Sequence, residues 1–159
     1  MNNRLTPLFS MKEVDNWFTI FTDRAEEKMY LTLQRAGETF VRYARLYGNY
    51  KDHTGNLRSS IGYVIVENGD IVKDNFTPST KPGTDKATGL REAKKLSRKL
   101  ASTYNQGMVL ICVAGMNYAA YVEAIDSLDV ITSAGLKAED DLRKQITKIF
   151  SRAKHHGRI

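Results

Sequence analysis

Ile61-Gly62-Tyr63-Val64-Ile65-Val66-Glu67-Asn68-Gly69-Asp70-Ile71-Val72-Lys73 decides the fold class of this 159-residue chain. Residues 61–66 are rich in β-branched and aromatic side chains, the composition of a strand. Asn68-Gly69 follows, and both residue types tolerate the positive φ that a two-residue hairpin turn requires. Ile71-Val72-Lys73 begins a returning strand. A β-hairpin set between segments of helical periodicity predicts an α+β domain.

Upstream, Ser10-Met11-Lys12-Glu13 has the S-x-x-E form of a capping box and predicts a helix start. Phe18, Phe21, Ala25, Met29, Leu33, Ala36, Phe40, Ala44 and Tyr47 then recur three and four apart, the stripe of a long amphipathic helix. Gly48-Asn49 tolerates the left-handed conformation that ends a helix, and the polar residues 51–58 read as a loop.

Downstream, residues 74–89 hold Pro78, Pro82, Gly83, Ser79 and the threonines Thr77, Thr80, Thr84 and Thr88. That composition predicts a flexible loop, short of apolar anchors. Leu90, Ala93, Leu96, Ser97 and Leu100 restore helical spacing, with Arg91, Lys94, Lys95, Arg98 and Lys99 elsewhere around the same helix. Residues 107–115 form a continuous apolar run between glycines, which predicts the middle strand of the sheet, buried on both faces. Residues 128–132 read as an edge strand. Ala138, Leu142, Ile146, Ile149 and Ala153 mark a last helix, with Glu139-Asp140-Asp141 placed at its start by the helix dipole and a frayed basic tail at 155–159. The expectation is one domain over residues 1–159: a long N-terminal helix and a C-terminal helix packed on a small, mainly antiparallel sheet with a hairpin.

The formal charge of +6 is unevenly spread. Residues 1–80 carry 10 Lys/Arg and 10 Asp/Glu, residues 81–99 carry 7 and 2, residues 100–136 carry 0 and 3, and residues 137–159 carry 7 and 3. The excess belongs to two segments, an asymmetry that favours contact with an anionic partner, either nucleic acid or an acidic protein face, although a basic helix is more often simply a solvated one.

Catalytic, cofactor and metal chemistry find little to work with. Cys112 is the only cysteine and stands in an apolar run, where burial suppresses the thiolate that a Cys112–His53 nucleophile would need. His155-His156 has no further Cys or His spaced to complete a tetrahedral metal site. Neither phosphate-binding glycine pattern, G-x-x-x-x-G-K-[ST] or G-x-G-x-x-G, is present. The first residues lack a signal-peptide apolar run, and no stretch approaches a membrane span, so no membrane partner is expected.

Two strings remain: Thr54-Gly55-Asn56-Leu57-Arg58-Ser59-Ser60-Ile61 after the long helix and Tyr118-Ala119-Ala120-Tyr121-Val122-Glu123 after the apolar strand. In this order they resemble the head–tail joining or tail-completion proteins of long-tailed bacteriophages. There a T-G-x-L-R-x-S-I string follows a long N-terminal helix, a hairpin comes next, and a Y-A-x-Y-V-E string precedes a terminal helix. The family's second string usually runs on into a glycine, where Ala124 stands here, and residues 74–89 with the basic helix form a larger insert than the family's.

The resemblance implies a non-enzymatic virion protein made in the bacterial host cytoplasm. It implies a ring, six-fold like the tail, between the DNA-filled head and the tail. Its neighbours would be the connector or stopper ring and the tail terminator or tube, with non-specific DNA contact possible in the channel. The alternative is a free nucleic-acid-binding protein using the basic helix 91–99 and the basic C-terminus. From the residue types, Thr54 caps a turn, Gly55 supplies a conformation other residues avoid, Leu57 and Ile61 point inward, and Arg58 offers a planar fork to a carboxylate. Glu123 is the candidate carboxylate, the other reading being two independent solvated charges. Tyr118 and Tyr121, three apart, are expected to pack on the sheet.

Overall fold

The computed structural model describes residues 10–125 and 128–156, with side chains as far as Ser151. Its elements are α1 (Met11–Tyr47), α2 (Asn56–Ser59), β1 (Ile61–Glu67), β2 (Asp70–Asn75), α3 (Ala87–Ala101), β3 (Met108–Ala114), α4 (Ala119–Ala124) and α5 (Thr132–His156). The fold is α+β, with long N-terminal and C-terminal helices and an antiparallel sheet.

The Glu13 N–H donates to Ser10 Oγ at 3.2 Å, and the Ser10 N–H donates to the Glu13 carboxylate at 2.6 Å, so the capping box forms as read. The other end of α1 differs from expectation. Gly48 has φ −57 and closes the helix through an N–H bond to the Ala44 carbonyl, without a left-handed residue. At the hairpin, Asn68 (φ 50) and Gly69 (φ 96) supply the two positive values that its turn needs.

Strand order is β2-β1-β3, both pairings antiparallel. The expected central strand is therefore an edge strand, and β1 takes the middle. The apolar run misled because it reports covered faces, not strand neighbours. Both strands are covered on both faces: Ile61, Tyr63, Ile65, Leu110 and Cys112 join the cluster beneath α1 and α5, while Val64, Val66, Val109, Ile111 and Val113 join the one beneath α3. The result is three layers, α3, sheet and the α1–α5 pair.

Residues 128–132 form no strand. Val130 is buried in the core under α5, which already begins at Thr132. Glu139, Asp140 and Asp141 accordingly sit beyond the first turn and pair with Arg143 (2.7 Å), Lys144 (2.6 Å) and Lys137 (3.0 Å) at helical spacing. In the tail, α5 continues to His156, and residues 157–159 lie outside the described residues.

Only half of the α1 stripe is core. Leu33, Ala36, Phe40 and Ala44 are buried, whereas Phe18, Phe21, Met29 and Tyr47 are exposed. A 37-residue helix is about 55 Å long, and a seven-residue strand spans only about 23 Å. The N-terminal part of α1 overhangs the sheet.

Segment 74–89 begins in β2 and ends in α3. Between them its anchors to its own chain are mainly polar. The Ser79 N–H donates to Ser59 Oγ (3.0 Å), Lys86 Nζ to the Ser79 carbonyl (2.7 Å), and the Asp85 N–H to the Thr54 carbonyl (2.9 Å). Phe76 adds one buried ring.

Candidate interaction site

The first string ties the end of α1 to the start of β1. The Asp52 carboxylate accepts the N–H groups of Gly55 (3.1 Å), Leu57 (3.3 Å) and Arg58 (2.8 Å), which caps the single helical turn α2 inside the expected loop. Thr54 Oγ1 accepts the Asn56 N–H at 3.3 Å, and Gly55 has φ +79, a conformation that a side chain would strain. Leu57 and Ile61 are buried as expected. Ser60 Oγ donates to the Leu57 carbonyl, and the Ser60 carbonyl accepts the Gly115 N–H at the end of β3.

Arg58 meets neither sequence expectation, being neither paired with Glu123 nor solvated. It is buried, donating to the carbonyls of Arg45 (2.6 Å), Gly48 (2.9 Å) and Tyr50 (3.1 Å), with its guanidinium 4.3 Å over the Tyr50 ring. The cause is the end of α1, where carbonyls lack intrahelical partners and the dipole is negative, so a planar cation satisfies both.

Sequence reasoning missed Asp52, Asn56 and Asp85. Asn56 Oδ1 accepts the Gly89 N–H at 2.7 Å, and its Nδ2 donates to Asp85 at 3.2 Å, which locks α2 to the start of α3. Asp52 was findable as a carboxylate just before a turn with free N–H groups. The Asn56–Gly89 contact has no local signal.

In the second string, Ala119 is buried and Val122 packs against the core beneath α1. The expected packing on the sheet is not found: α4 leaves Tyr121 72% exposed, and Tyr118, just before α4 and 37% exposed, lies beside Thr54 instead. Burial and then the Asp52 carboxylate push the Tyr118 phenol above its usual range, against a hydrogen bond with Thr54. The two strings therefore meet at Tyr118 and Thr54. Glu123 Oε1 accepts the N–H groups of Thr132 (2.7 Å) and Ile131 (3.2 Å) at the start of α5. Burial alone would raise its carboxyl, but the Thr132 hydroxyl and these two N–H groups together hold it below the usual range.

Both strings are thus engaged in holding the fold, and a concentration of accessible positive charge lies on α3. Gly89, Ala93, Ser97 and Ala101 form its buried face. Arg91, Lys95, Arg98 and Lys99 are exposed; Lys94 is half-buried, 3.7 Å from Asp74, and Arg91 lies 3.4 Å from Glu92. Among the described residues, Lys95, Arg98 and Lys99 form no ion pair, leaving an uncompensated positive field. The outer edges of β2 and β3 pair with no further strand among the described residues.

Burial pushes the Cys112 thiol up to about 12, so it is not a thiolate at neutral pH. Among the described residues no cluster of His, Cys, Asp and Glu is placed to hold a metal ion, and no helix is long and apolar enough to cross a membrane. Comparison with protein-family profiles, with curated proteins and with solved structures finds no match to this chain.

Proposed function

We propose that this chain is a non-catalytic structural subunit of the neck of a tailed bacteriophage, forming a ring that joins the DNA-filled head to the tail. The observation that carries the reading is the meeting of the two strings. They lie more than fifty residues apart in the chain, yet Tyr118 lies beside Thr54, and each string fastens a long helix, Arg58 at the end of α1 and Glu123 at the start of α5. A pair of strings with linked structural duties fits a resemblance that rests on their joint occurrence. The unpaired edges of β2 and β3 suit lateral contact between copies, because strand edges offer unsatisfied backbone groups to a neighbour. In this reading the ring is six-fold, and α3 docks on an acidic face of an adjacent ring. DNA must slide through the channel, so a tight grip on it would hinder passage.

The second reading, a free nucleic-acid-binding protein, is favoured by the unpaired Lys95, Arg98 and Lys99. One experiment decides between the two. Particles are assembled with the Lys94→Gln/Lys95→Gln/Arg98→Gln variant and imaged, and duplex DNA binding of both chains is followed over a salt series. The neck reading expects the chain in the neck of intact particles, and a several-fold, salt-sensitive loss of joined particles for the variant. Full yield of joined particles without this chain, together with steeply salt-dependent DNA binding lost in the variant, establishes the second reading instead.

A further inference from the structure

The overhanging part of α1 and the C-terminal half of α5 enclose a groove of about 800 Å³. Phe21, Met29, Ile146 and Ile149 supply its apolar floor. Its charged lining is of one sign, Arg24, Lys28, Arg35 and Lys148, with no carboxylate among the described residues that line it. A soluble chain rarely leaves an apolar surface of this kind open unless something covers it, and the rim states the chemistry of the cover: an apolar segment with negative charge.

The first turns of α1 match that description. Met11, Trp17 and Phe18 are each between 68% and 72% exposed. Val14 and Phe18 are one helical turn apart, and Trp17 lies three residues after Val14, so the three make an apolar strip. Residues 11–18 hold Glu13 and Asp15 against a single Lys12. By contrast residues 1–9, which precede this segment in sequence, carry Arg4 and no acid, the wrong sign for this rim.

We propose that the groove between α1 and α5 receives residues 11–18 of a second copy of this chain. The apolar strip covers the groove floor, and Glu13 and Asp15, which flank the strip, face the basic rim. Each copy carries both a donor segment and an acceptor groove, so the contact either closes as a twofold dimer or continues around a ring. The inference rests on the assembly reading above in that it names one surface by which copies meet.

Trp17 is the only tryptophan and lies in the donor segment, so its fluorescence reports the contact. Emission and sedimentation of the full chain are measured together over a concentration series. Trp17 emission is expected to shift to the blue in step with a rise in mass. Lys28→Glu/Lys148→Glu should weaken association at least about tenfold, and adding Asp15→Lys should restore part of it, with circular dichroism unchanged throughout. Association that leaves Trp17 in water, or charge reversal without effect, overturns the proposal. So does a blue shift seen only with anionic lipid vesicles or duplex DNA, which would put a membrane or a nucleic acid in the groove. A Trp17-reported dimer combined with particles that join normally without the chain would sink the neck reading while this contact stands.

Discussion

Arg58 donates to three backbone carbonyls at and beyond the end of α1 while lying on the Tyr50 ring, and lysine reproduces neither the planar fork nor the stacking. Leaving buried carbonyls short of donors costs about 1–3 kcal/mol, so Arg58→Lys should lower the melting temperature by several degrees, at about 2–4 °C per kcal/mol for a chain this size. An unchanged thermal melt would show that the fork is dispensable. Glu123 gives a pH-dependent counterpart. Its folded carboxyl titrates below the ordinary value, so its contribution is present above the unfolded-state pKa and fades as pH falls through the lowered folded one. Glu123→Ala should therefore cost about 1 kcal/mol, the usual worth of a helix cap, at pH 7. The gap between the two melts should close in acid, and a gap independent of pH would contradict a charge-assisted cap. At this scale the sequence disclosed what is local: the Gly55 conformation and the inward Leu57 and Ile61. It did not disclose the partners of Arg58 and Glu123, because a helix end brought near by folding leaves no mark on neighbouring residue types.

Helix α3 is held against α2 at Gly89, where an added Cβ would overlap the Asn56 carbonyl oxygen. Two effects compete in Gly89→Ala. Helix propensity favours alanine by about 1 kcal/mol, while overpacking against backbone costs about 1–3 kcal/mol and also disturbs the Asn56–Gly89 hydrogen bond. Overpacking should prevail, and denaturant unfolding should show net destabilisation; a more stable variant would mean that α3 slides away from α2 freely. Among the elements, those with a local cause were legible. The Ser10–Glu13 box started α1 and Asn68-Gly69 made the hairpin, since capping and turn geometry act over a few residues. Strand order was not legible, because β1 and β3 have similar apolar runs, and only long-range pairing distinguishes the fully buried centre β1 from the half-buried edge β3.

For the molecule as a whole, α+β class could be read from periodicity, and the concentration of positive charge on one helix from simple counting. How far α1 outruns the sheet could not, since an apolar stripe looks the same whether it meets the protein's own core or projects past it. That overhang leaves the molecule with two unlike surfaces, the basic face of α3 on one side of the sheet and the groove between α1 and α5 on the other. The central place of β1 also governs the order of events at the ribosome. Its hairpin partner follows at once, but its β3 partners come roughly 40 to 50 positions later, and at about 5–20 residues per second several seconds pass before they are made. Throughout that interval the nascent chain carries β1 with one bare edge, and Val64 and Val66 await α3. Misassociation between chains on neighbouring ribosomes is a hazard of this topology before any mature copy exists.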